Sequence, residues 1–178
     1  MNEDAKLWLL PQNRIRQFYL LLILNFGCIV ALQITGAELK NEVASAGIVS
    51  YEFAGDMPNA QNILNSWDAE TKITVGINLG IDYLFLLLYS QAIALGCLLV
   101  GQYGKMKTSI ISLIANLQFV AAFLDAIENY ALIQLLTGSK LDFWPSIAYW
   151  SALPKFTLVA IGLLFILYAG VKGAIQKK

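Results

Sequence analysis

Apolar residues in this chain do not alternate with polar ones over most of its length. They run together in four blocks, about Phe18 to Ile34, Thr74 to Val100, Thr108 to Leu136 and Ile147 to Gly170. A hydrocarbon core of about 30 Å needs about 20 apolar residues in a helix rising 1.5 Å per residue, and each block approaches or exceeds that length. Lipid offers no partner for backbone N–H and C=O groups, so helices are predicted, their hydrogen bonds closed within each segment. The pattern predicts an all-α integral membrane protein, a bundle of four transmembrane helices forming one membrane domain over residues 1–178.

The connections are unequal. Gly101 to Lys107 reads as a tight turn, and Thr137 to Ser146 as a short loop with Gly138 and Pro145 as its punctuation. The first connection, about residues 35–73, far exceeds the roughly 2 to 8 residues usual between packed helices. It has a helical period of its own, because Ala60, Ile63, Leu64 and Trp67 fall at i, i+3, i+4 and i+7. An amphipathic helix over Asn59 to Trp67 is predicted, with Asp56 or Met57 near its start and Pro58 in its first turn. Its apolar face is expected to fold over the outer span ends as a cap, the alternative being a resting place on the bilayer surface. Gly47 to Gly55 reads equally as an extended segment or as the end of a short helix.

Charge adds an orientation. With four crossings, Lys6, Arg14, Arg16, Lys105, Lys107, Lys172, Lys177 and Lys178 fall on one side, and Lys40, Lys72 and Lys140 on the other. The positive-inside rule then predicts both termini in the cytoplasm. Trp67, Trp144, Tyr149 and Trp150 are expected at the outer interface, and Trp8, Tyr103 and Tyr168 at the inner one. Arg14 and Arg16 before an apolar run imitate a secretory signal, but Asn25-Phe26-Gly27 before Cys28 is a poor lipidation motif, and a retained helix is expected.

Composition narrows the chemistry. With 58% apolar and 13% charged residues the chain lies outside the soluble range, and without histidine it excludes imidazole metal sites, histidine-ligated haem and histidine-based relays. Cys28 and Cys97 form no CxxC pair and read as buried packing residues. No cofactor or metal is expected. No basic stripe suits nucleic acid, which leaves the lipid bilayer as the expected partner. Gly76-x-x-x-Gly80 and Ala92-x-x-x-Gly96 read as close helix contacts.

The candidate chemistry sits inside the apolar blocks. Asp82 and Lys155 each lie about eight residues from the outer end of a block, and Asp125, Glu128 and Asn129 lie at a similar depth in the third. Asp125, Glu128 and Asn129 share one helix face, and Gln118 falls nearly in line with Asp125. Asn78 is one turn from Asp82, with Tyr89 two turns further on, and Trp150 lies near Lys155. Ionisable groups at bilayer depth cost roughly 2.5 to 3.5 kcal/mol each, so the stripes are expected to face one another around a polar pocket in the outer half of the bundle. Asp82, Asp125 and Glu128 outnumber one lysine, which predicts that at least one carboxyl keeps its proton. Two plainer readings stay open: the polar groups act only as interhelical glue, and Lys155, with Pro154 in the first turn of its helix, snorkels to the headgroups.

The strings Gly47-Ile-Val-Ser-Tyr-Glu-Phe-Ala, Leu79-Gly-Ile-Asp-Tyr-Leu-Phe and Leu124-Asp-Ala-Ile-Glu-Asn together resemble a group of small bacterial inner-membrane proteins. That resemblance implies a multi-pass protein of the cytoplasmic membrane and carries no activity. In helix number and intramembrane acids the chain also resembles the four-helix sterol-isomerase and sigma-2 receptor class, although the matching histidine is missing. Three functions follow as expectations. The first is a pocket that binds or transports a hydrophobic or cationic small molecule, with protonation as its switch. The second is an acid/base enzyme on a lipid-like substrate, and the third a structural subunit of a homo-oligomer or membrane complex.

Overall fold

The computed structural model describes residues 13–177. The expectations for Lys6, Trp8 and Lys178 lie outside them. Among the described residues the chain forms six α-helices, α1 (Arg14–Ala37), α2 (Ile48–Glu52), α3 (Met57–Ser66), α4 (Ala69–Tyr103), α5 (Thr108–Leu136) and α6 (Phe143–Gln176), and no strands. Four of them, α1, α4, α5 and α6, are long and apolar enough to cross a membrane, and the protein is a multi-pass membrane protein. The predicted helix of the long connection is α3, which starts two residues earlier, at Met57, and ends one residue sooner, at Ser66. Asp56 caps it by accepting from the Asn59 N–H at 2.9 Å, and Pro58 occupies the first turn, where its missing N–H costs nothing.

The bundle is centred on α4. This helix packs against α1, α5 and α6, and α5 also packs against α6, whereas α1 leans mainly on α4. Small residues permit the close approaches. A Cβ added at Gly96 would meet Ile166 at 2.8 Å and Phe18 at 3.3 Å, and one at Gly104 would meet the backbone oxygen of Ala169 at 2.5 Å. The Ala92-x-x-x-Gly96 pair is therefore a helix contact. Gly76-x-x-x-Gly80 is not: Gly80 has no atom within 4 Å of such a Cβ, Gly76 meets only Leu136 at 3.8 Å, and both face outward. Spacing alone cannot say which face of α4 turns to a neighbour.

The long connection folds onto the ends of α4, α5 and α6 as a cap with its own core. Leu39, Tyr51, Met57, Ala60, Ile63 and Trp67 pack with Val75, Leu79, Leu132 and Leu135. Trp67 is 3% exposed and donates from Nε1 to the Leu39 carbonyl at 3.0 Å, so it anchors the cap and is not the headgroup marker expected of it. Gly47 to Gly55 resolves to the single turn α2 between two glycines at φ +63° and +76°, backbone that side-chain-bearing residues rarely adopt. Tyr51 on α2 is fully buried and donates to the Leu132 carbonyl at 3.1 Å, which pins α2 to α5. The end of the bundle opposite the cap carries Arg14, Arg16, Lys105, Lys107, Lys172 and Lys177.

Candidate functional site

Side-chain direction along a helix decides which stripes meet. On α5, Asp125 and Glu128 are one turn apart and both reach Lys155 of α6, whose Nζ lies 2.8 Å from Asp125 Oδ1 and 2.8 Å from Glu128 Oε1. All three are buried, at 3%, 0% and 5% exposure. The other oxygen of Asp125 accepts from the Tyr89 hydroxyl of α4 at 3.0 Å. Asn129, rotated about 100° from Glu128, turns toward α4 and donates to Asp82 Oδ2 at 2.7 Å. One level of α5 thus ties α4 to α6 through a buried ion-pair network, and the depth coincidence read from the sequence brings these groups together.

Lys155 does not snorkel. The fourth span starts at Phe143, so Pro154 lies inside α6, a full three turns from its start, and the following lysine faces the α5 carboxylates. The apolar block alone began too late because Phe143 to Ser146 mixes a proline and a serine with aromatics. Trp150 turns outward: it is 69% exposed, meets Tyr149 edge-on, and is not among the residues that line the cavity beside this network. Gln118 lies deeper and acts alone, donating to the Ile114 and Leu158 carbonyls at 3.2 and 3.1 Å against Gly162 of α6. Asn78 serves the first span, donating to Thr35 Oγ1 at 2.7 Å and to the Leu32 carbonyl at 3.2 Å.

Beside this network is a cavity of about 260 Å³ between α1, α2 and α4. Glu52, Asp82, Asn78 and Asn129 form its polar wall, Leu32 and Val49 contribute apolar surface, and Lys40 lies at its exposed rim. The pocket is thus bounded by the cap and the first span, not by α6, and Lys155, Asp125 and Glu128 lie behind its wall. The sequence reading missed Glu52, which sits among exposed acids of the connection yet is only 7% exposed. The signal available was its place at the end of the apolar run Gly47 to Phe53, between glycines that force a compact turn.

Glu52 brings a fourth carboxyl to the cluster. Burial raises its pKa above the ordinary carboxylate range, and Asp125 pushes the same way, while Lys155 and a hydrogen bond with Glu128 oppose. Four acids now face one ammonium in a medium where like charges repel strongly, so the cluster is built to hold protons as well as a cation. What the arrangement offers chemically is a polar wall of two carboxyls and two amides next to apolar surface, backed by an acid–lysine network. Compared with known protein families, with curated proteins and with solved structures, the chain finds no match.

Proposed function

We propose that this protein binds, or carries across the membrane, a small cationic molecule with an apolar part, in the crevice under its cap, and that proton exchange accompanies binding. The supporting observation is the 260 Å³ cavity with Glu52 and Asp82 on one wall and Leu32 and Val49 among its apolar lining. A carboxylate pair supplies the counter-charge, and the apolar surface takes the hydrocarbon portion. Lys40 opposes a cation only weakly, because an exposed ammonium is solvated and screened.

n-Hexylammonium tests this with the full chain in lipid nanodiscs. It should raise the melting temperature saturably, and Asp82→Asn should weaken its binding by about tenfold, about 1.4 kcal/mol. The proton link has a definite sign. A ligand ammonium favours the carboxylate form of Glu52, whose pKa burial has raised, so binding releases a proton and tightens as pH rises toward that group's titration. Equal stabilisation of the parent and Asp82→Asn would place the amine elsewhere.

The approach of Glu52 to Glu128 supports a second reading, acid/base chemistry on a lipid-like substrate, since two carboxyls in contact hold protons with different strength. For orientation, the basic residues at the end opposite the cap support cytoplasmic termini in a bacterial-type inner membrane. Reporters fused after residue 177 and inserted near Val43 should read cytoplasmic and external respectively. The opposite readings would invert the topology and put the crevice on the inner face.

A further inference from the structure

Two buried carboxyl groups, those of Glu52 and Glu128, meet across the seam between cap and bundle. Glu52 Oε2 and Glu128 Oε2 both lack a hydrogen-bond donor among the described residues, although their side chains are 7% and 0% exposed. Lys155 Nζ lies 2.8 Å from each oxygen of Glu128, but its donor geometry is met only at Oε1. The two carboxyls are within hydrogen-bonding reach of one another. Two deprotonated carboxyls in that position would repel each other, Glu52 Oε2 would have no donor, and Glu128 Oε2 would keep only the poorly directed ammonium of Lys155. One proton between them satisfies both.

We propose that Glu52 and Glu128 form a proton-binding site that holds one shared proton between the cap and the bundle, and that loss of this proton loosens α2 and opens the crevice. The inference deepens the reading above, since it names the proton the crevice would exchange. Its test needs no ligand, so the two can fail separately. The groups facing Glu52 come from every side of the site: Asp82 on α4, Asp125 and Glu128 on α5, Lys155 on α6, and Lys40 at the rim. Of these, Lys155 already serves Asp125 and Glu128, and Asp82 has the Asn129 amide. Deprotonating Glu52 therefore adds a fourth carboxylate around a single ammonium, and burial together with Asp125 opposes the new charge more than Lys155 draws it. A group bound more tightly by a proton when docked than when released contributes docking stability that is lost as pH rises through its docked titration.

Infrared spectroscopy of the full chain in nanodiscs reads the proton directly, because exposed carboxyls are ionised at neutral pH and a buried protonated one keeps its C=O stretch. Glu52→Gln should abolish that band. Glu128→Gln should keep it and shift it to higher frequency, since an amide oxygen accepts more weakly than a carboxylate. A band untouched by Glu52→Gln, or unmoved in frequency by Glu128→Gln, overturns the shared proton. Hydrogen exchange provides the second readout and does not need Glu128→Gln to fold. Corrected for intrinsic rates, protection across Ile48 to Glu52 should fall by about tenfold as pH rises through the titration, the effect of about one pK unit of coupling. In Glu52→Gln, whose amide donates permanently to Glu128, it should stay level. Parallel pH profiles in the two proteins would also overturn the proposal.

Discussion

Lys155→Met is expected to destabilise the folded protein by about 3 to 5 kcal/mol, the usual cost of removing one member of a buried ion pair. Asp125 and Glu128 would lose the only ammonium within 4 Å among the described residues, and neither is exposed enough for water to replace it. The melting temperature in a mild detergent, or the midpoint of denaturation by added sodium dodecyl sulfate, measures the loss. The cost belongs to the orphaned charges more than to the missing contact, and a compensated variant shows this. Adding Asp125→Asn and Glu128→Gln to Lys155→Met removes all three charges while keeping an acceptor for the Tyr89 hydroxyl and donors for neighbouring carbonyls. At least about half of the lost stability should return, since neutral replacement of a buried ion cluster is often near neutral. A single variant within about 0.5 kcal/mol of the parent would mean that water reaches the cluster and solvates the orphaned carboxylates.

Trp67→Ala is expected to release the cap at a cost of about 3 to 5 kcal/mol to its docking, the range for deleting a large buried aromatic. Trp67 fills the cap core, meets the Tyr51 ring edge-on at 5.4 Å, and holds the Leu39 carbonyl, so one truncation removes packing from α2, α3 and the end of the α1 connection together. Limited proteolysis should cut residues 39–67 while α1, α4, α5 and α6 remain intact, because those helices bury their own cluster around Leu95, Ala115 and Phe165 at a distance from the cap core. Loss of the whole fold on this substitution would show that cap and bundle are one cooperative unit. The proton-binding site makes the same variant informative: with the cap undocked, Glu52 faces water and its infrared band should vanish as well.

How much of this was written in the residues differs from one part of the chain to the next. Four uninterrupted apolar blocks left no other solution in lipid, and Thr108 to Leu136 coincides with α5 to the residue. The cap helix was equally legible, because Ala60, Ile63, Leu64 and Trp67 keep one face and Asp56-Met57-Pro58 marks a start. So was the common depth of Asp82, Asp125, Glu128 and Lys155, which needs only helical rise to read.

Azimuth and non-local contact were not legible, and they decide the site. Lys155 and Trp150 lie five residues apart on α6, yet one is buried in the ion-pair network and the other points outward, since 100° per residue places them on different faces. Gly80 and Gly96 carry the same kind of spacing on α4 and only the second meets a neighbour. Glu52 looked like one more acid in a polar connection, and only the folding of that connection over the bundle brings it to Glu128, 76 positions further along the chain. Hydropathy and helical period set the membrane class, the helices and the level at which their charges lie, because both are local properties and lipid permits few alternatives. Which of those charges meet, and that the crevice lies between α1, α2 and α4, was decided by the tertiary structure alone, because packing selects faces and closes long loops through contacts that no short stretch of sequence contains.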